Sequence, residues 1–183
     1  MEPDVERSSL LSRRIRPLGL GAAAVFLAAL TASAQPAFEP VSLVGIKNGL
    51  LEKAATGAVT LALEKLSRPA CQRVLTDFRD AAGVPLQAKL EATGYSAPDF
   101  LEILRFASGE RLTSCQSRRV LAATAPGSHV IYLCGIQFFE RQRVSPEFSA
   151  ALVIHEMLHS LGLGENPPSS NDITARVLER CGG

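Results

Sequence analysis

The chain has 183 residues, 46% of them hydrophobic, and nearly balanced charge, with 19 Lys and Arg against 18 Asp and Glu. That is enough apolar material for one folded domain and excludes a charged, disordered chain. There is no basic stripe, no Lys/Arg-rich run and no phosphate-binding glycine motif, so a nucleic-acid partner is not expected.

Residues 1–34 read as a secretory signal peptide. Arg13, Arg14 and Arg16 form a basic start, Leu18 to Leu30 is apolar, and Ala32-Ser33-Ala34 is an A-x-A cleavage signal. The apolar run is short for a membrane span. The expectation is cleavage after Ala34, giving a secreted or periplasmic chain of near-zero net charge with no stable membrane insertion. Residues 35–48 are punctuated by Pro and Gly without a clear period and read as an N-terminal tail.

The domain proper is expected over 49–183. Gly49 to Leu66 has helical spacing and is broken by Ser67-Arg68-Pro69. Ala70 to Ala82 reads as an amphipathic helix with the stripe Cys71, Val74, Leu75 and Phe78. Pro85 to Ala92 reads as a shorter helix, and Ser96 to Phe106 as another, opened by a capping Ser96. The period then changes. Arg119 to Ala123 and Ser128 to Cys134, separated by Pro126-Gly127, read as an antiparallel pair of strands. Phe138 and Phe139 are core candidates. A last helix runs from about Asn171 to Arg180.

Four cysteines follow the signal peptide: Cys71, Cys115, Cys134 and Cys181. An even count in such a chain reads as two disulfides. The favoured pairing is Cys71–Cys181, tying the last helix to an early one, and Cys115–Cys134, stapling a hairpin-like segment. No C-x-x-C spacing supports zinc held by cysteines.

The most informative stretch is Ser145 to Glu165. Ser145 suits an N-cap, Pro146 the first helical position, and Gly162 and Gly164 a stop. Within it lies His155-Glu156-Met157-Leu158-His159. Residues four apart share a helix face, so both imidazoles can reach one metal ion. Glu156 can point toward the same ion without ligating it, as a general base toward water. Val153, Ile154, Met157, Leu158 and Leu161 make the helix apolar nearly all round, which predicts burial. A buried helix should not carry two His and a Glu unless they share a ligand.

A catalytic zinc needs a third protein ligand. Glu165 follows His159 by six residues, and Gly162 allows a sharp turn back toward the ion. Glu179, Asp172 and His129 stay open as alternatives. Their ordinary roles would be an exposed helix charge near Arg176, an N-cap acid and a surface strand residue.

The run His155 to Glu165, H-E-x-x-H-x-x-G-x-x-E, resembles the zincin metalloproteases and most closely the metzincin-type extended motif. The C-terminal stretch is also similar to uncharacterised secreted bacterial proteins carrying H-E-x-x-H. The resemblance implies a small sheet lying against the metal helix, with an edge strand aligning a peptide. It implies zinc held by His155, His159 and Glu165, with Glu156 as general base. The expected fold is α+β: a mostly helical single domain with a small antiparallel sheet and a long buried active-site helix. The expected function is a zinc-dependent peptidase acting on peptides or proteins. The alternative is a non-catalytic zinc-stabilised or peptide-binding module.

Overall fold

The computed structural model describes residues 41–182. The expected signal peptide, the first part of the expected tail and Gly183 lie outside the described residues.

Helix α1 (Gly49–Leu66) starts where the Asn48 side chain accepts hydrogen bonds from the backbone N–H groups of Leu50 and Leu51. Its buried face is rich in alanine, with Ala54, Ala55, Ala58 and Ala62 all inside. Small side chains let neighbouring helices approach closely, and α1 packs along both α6 (Gly135–Val144) and α7 (Pro146–Ser160). Helix α7 is the axis of the domain. Ser145 Oγ accepts from the Phe148 N–H, Pro146 takes the first turn, and every residue from Ser149 to Ser160 is buried. The expectation of a long buried helix is met.

Four short strands lie beside it: β1 (Leu43–Val44), β2 (Arg105–Ser108), β3 (Ala122–Ala123) and β4 (Val130–Leu133). Their order is β1-β2-β4-β3. The β3–β4 pair is antiparallel, as expected, with Ala122 opposite Leu133. The other two pairings are parallel. The fold is therefore α+β with helices dominant, but the sheet is mixed and mostly parallel rather than antiparallel. Parallel partners are distant in sequence, so no local pattern announces them. Helix α5 (Ala97–Glu102) stops short of Phe106, and the chain extends into β2. Leu104 and Phe106 are buried in either conformation, so their spacing did not separate helix from strand. Strand β1 comes from within the expected tail.

Two other elements differ from expectation. The single helix expected over Ala70 to Ala82 is two short turns, α2 (Pro69–Gln72) and α3 (Val74–Asp77), followed by extended backbone at Phe78. Its stripe of Cys71, Val74 and Leu75 is buried all the same. Helix α6 was not anticipated from the sequence, because among its charged residues it commits mainly Phe138 to the core. Helix α4 (Leu86–Thr93) forms where expected, and the last helix, α8 (Ser170–Cys181), is slightly longer than expected.

Both favoured disulfides are present. Cys71–Cys181 joins α2 to the end of α8, and Cys115–Cys134 joins a 3-10 turn to the start of α6. Two such bonds are consistent with an oxidising compartment. Beside the first, buried Lys65 donates to the Cys181 carbonyl at 2.9 Å and pairs with Glu147. One ammonium thus links α1, α7 and α8. Among the described residues, no helix is long and apolar enough to cross a membrane.

Candidate metal centre

The last turns of α7 carry His155, Glu156 and His159, all buried. At the end of the helix Gly162 adopts φ +107°, a conformation that disfavours any residue with a Cβ. The turn it permits lets the Leu163 N–H reach the Leu158 carbonyl at 3.1 Å and sends the chain back along the helix end. Glu165 is thereby returned to the histidines. Its Oε1 lies 3.3 Å from His159 Nε2 and 3.6 Å from His155 Nε2. The two Nε2 atoms are 2.9 Å apart. Among the described residues this is the one group of three or more His, Cys, Asp or Glu side chains that converges in this way.

The outer ring nitrogens are engaged. His159 Nδ1 faces the Leu163 carbonyl at 2.8 Å, an acceptor, so it carries the proton. In the neutral ring this leaves Nε2 as a lone pair directed at the cluster. His155 Nδ1 meets the Thr174 hydroxyl of α8 at 2.9 Å. Burial, and secondarily the neighbouring His159, push the His155 pKa down to about 3, so this imidazole is neutral at ordinary pH. The centre thus brings two imidazole Nε2 atoms and a carboxylate oxygen together, with the Thr174 hydroxyl able to accept the His155 Nδ1 proton and so free both Nε2 lone pairs for a cation. Zinc bonds of 2.0–2.2 Å in tetrahedral array would separate donors by roughly 3.3–3.5 Å. The two distances to Glu165 are close to this, and the imidazole pair is a little tighter. The donor set and spacing fit zinc.

Glu156 is the other anomaly. It is only 4% exposed, and its Oε2 has no hydrogen-bond partner. Burial raises its pKa to about 8; the Thr124 hydroxyl opposes this and the Glu165 charge adds to it. Thr124 is close enough to be felt electrostatically, yet its Oγ1 completes no hydrogen bond. A cation at the histidines would act in the opposite sense and favour the ionised carboxylate.

The centre opens on one side. A groove of about 600 Å³ is lined by Glu156, His159 and Glu165, with Phe148 and Leu152 on its apolar wall. Every residue from 119 to 124 borders it. Consecutive residues border a groove together when a strand offers its edge rather than one face. β3 is one of the two edge strands of the sheet.

The other candidates are elsewhere. Asp172 closes a capping box with Ser169 at the start of α8, its Oδ2 accepting from the Ser169 hydroxyl at 2.6 Å. Glu179 is exposed and pairs with Arg176 at 2.9 Å. His129 is exposed and its ring is tilted against Phe100. Thr174, Thr124 and the Leu163 carbonyl were not anticipated; hydroxyls and carbonyls carry no spacing signal in a sequence.

Comparison of the chain with protein-family models, with curated proteins and with solved structures gives no match.

Proposed function

We propose that the chain is a secreted, zinc-dependent peptidase. The observation that carries this is the convergence of His155, His159 and Glu165 beside a buried, unpartnered Glu156, at the floor of an open groove. The resemblance of the H-E-x-x-H-x-x-G-x-x-E run to zincins supports it. Zinc held by the three side chains would supply Lewis acidity, polarising a carbonyl and acidifying water. The chain's own residues do the rest. The free edge of β3 can pair with an extended peptide, and Phe148 with Leu152 can receive an apolar side chain beside it. Glu156 accepts the proton of the attacking water on a carboxylate oxygen and returns it to the amine nitrogen as the peptide bond breaks. Burial, which favours its neutral form, and a cation at the histidines, which would favour its ionised form, oppose each other and suit it to exchange a proton. The A-x-A signal and the two disulfides support export.

The alternative is a structural zinc site, which would need no open groove, or a peptide-binding zinc module, which would use the groove but not an unsatisfied buried carboxylate beside the metal ligands. The test is hydrolysis of a quenched-fluorescent peptide library by the zinc-loaded chain, with Glu156→Gln as control. Loss of at least about a hundredfold in rate with zinc retained is expected. Full activity in Glu156→Gln would overturn the reading.

A further inference from the structure

We propose that the groove continues into a second limb on α6, and that this limb holds the flank of an extended polypeptide substrate, taking an acidic side chain beside an apolar one. The word substrate rests on the peptidase reading; the limb itself rests on the surface. It is a depression of about 540 Å³ bordered by Arg118, Leu121, Ile136, Glu140, Arg141 and Val144. It adjoins the metal groove at one shared residue, and a side-chain contact joins their walls. Leu121 borders both. Arg141, on the wall of the second limb, places its guanidinium 4.9 Å from the ring centre of Phe148, on the wall of the first.

Val144 and Ile136, at 70% and 58% exposure, are the two most exposed large apolar side chains among the described residues. At about 100° per residue they share an arc of roughly 140° with Glu140 and Arg141 on one side of α6. The helix spends Phe138 on the core, so this outward pair does not serve the fold. Two large aliphatic groups grouped on one exposed face mark a contact surface. The charge around them is positive. Arg118 and Arg141 face a single Glu140, and Arg119 adds a third guanidinium where the first limb begins. Among the described residues neither Arg118 nor Arg119 has an ion-pair partner. Forked guanidinium donors beside aliphatic groups complement a carboxylate next to a branched or aromatic side chain. A strand advances about 3.3 Å per residue, so one chain seated along β3 can reach both limbs.

The test is a positional-scanning library of quenched-fluorescent dodecapeptides carrying Glu or Lys at one flanking position at a time, read as cleavage by the wild-type chain. Binding of the same peptides to Glu156→Gln is read by fluorescence anisotropy. The expected result is a preference for Glu at one flanking position, reversed by Arg118→Glu. Ile136→Ser should raise KM roughly fivefold with kcat unchanged. Both side chains are exposed, so neither change threatens the fold. Cleavage without any preference for Glu overturns the limb and leaves the peptidase reading standing. No cleavage, with Arg118-dependent binding of the Glu peptides to Glu156→Gln, upholds the limb and removes the peptidase reading. Neither cleavage nor discriminating binding overturns the limb. Arg118-dependent capture on phosphatidylserine vesicles, with no discrimination among peptides, also overturns it and makes the face a lipid contact.

Discussion

His155 Nδ1 and the Thr174 hydroxyl, 2.9 Å apart, join the metal helix to α8. The orientation of the first imidazole is therefore set by a residue on the following helix, which the Cys71–Cys181 bond holds at its far end. Outer-shell partners of metal-binding histidines fix the ring and its tautomer. Thr174→Val keeps the volume and removes the hydroxyl. Zinc affinity, measured by chelator competition, should fall about tenfold, and Thr174→Ser should restore most of it. Equal affinity in all three chains would mean that the helix alone orients the ring.

Glu165 differs from the other carboxylates near the end of α7 in having no competing assignment. Asp172 is spent on a capping box and Glu179 on Arg176. Elemental analysis should find near-stoichiometric zinc in the wild type, Asp172→Asn and Glu179→Gln, and much less in Glu165→Ala. Asp172→Asn should cost a little stability, because Asn is a poorer partner for the cap. Retention of zinc by Glu165→Ala at wild-type affinity would remove Glu165 from the ligand set.

Most of this centre is legible in the sequence because helical geometry is local. A spacing of four puts His155 and His159 on one face, and the glycine at 162 foretells the reversal that returns Glu165. The sheet is less legible. Leu43–Val44 and Arg105–Ser108 become strands through parallel partners that no neighbouring residue specifies. Residues 70–82 carry a helical stripe, yet the backbone breaks at Arg73 and extends at Phe78, where Arg79 bridges to Pro85. There tertiary packing keeps the buried side chains in place while overriding the period. Thr174 was hidden for a related reason: its role depends on how α8 is docked, and docking is set by a disulfide, a buried lysine and a salt bridge.

That salt bridge has a pH signature. The Asp77 carboxylate accepts from Arg180 Nε at 2.7 Å and Nη2 at 2.8 Å. Chiefly through this hydrogen bond, against the opposing effect of burial, Asp77 is held below its ordinary 3.8. A carboxylate with a depressed folded-state pKa contributes stability that is present above the unfolded value and lost as pH falls through the folded one. The melting temperature of the wild type should exceed that of Asp77→Asn by a constant margin down to about pH 5, with the two converging below about pH 4. A margin unchanged down to pH 2 would show that the ionised carboxylate is not its source.

The two disulfides should differ in weight. Cys71–Cys181 closes a separation of 110 residues and Cys115–Cys134 one of 19. Restricting the unfolded chain is worth more for the longer loop, roughly 4–5 kcal/mol against about 3 kcal/mol. The paired serine replacement of Cys71 and Cys181 should therefore lower stability more than that of Cys115 and Cys134, measured by urea unfolding. It should also weaken zinc, because α8 carries Thr174 and loses its anchor beside Lys65. The Cys115–Cys134 pair closes the segment between the 3-10 turn and the start of α6, a segment that includes β3 and β4. Its removal should leave zinc affinity nearly intact while loosening the strand edge along the groove. Hydrogen exchange at Ala122 and Ala123 should quicken in that variant and stay near wild type in the other. Equal losses of zinc in both variants would indicate that α8 has no special hold on the centre.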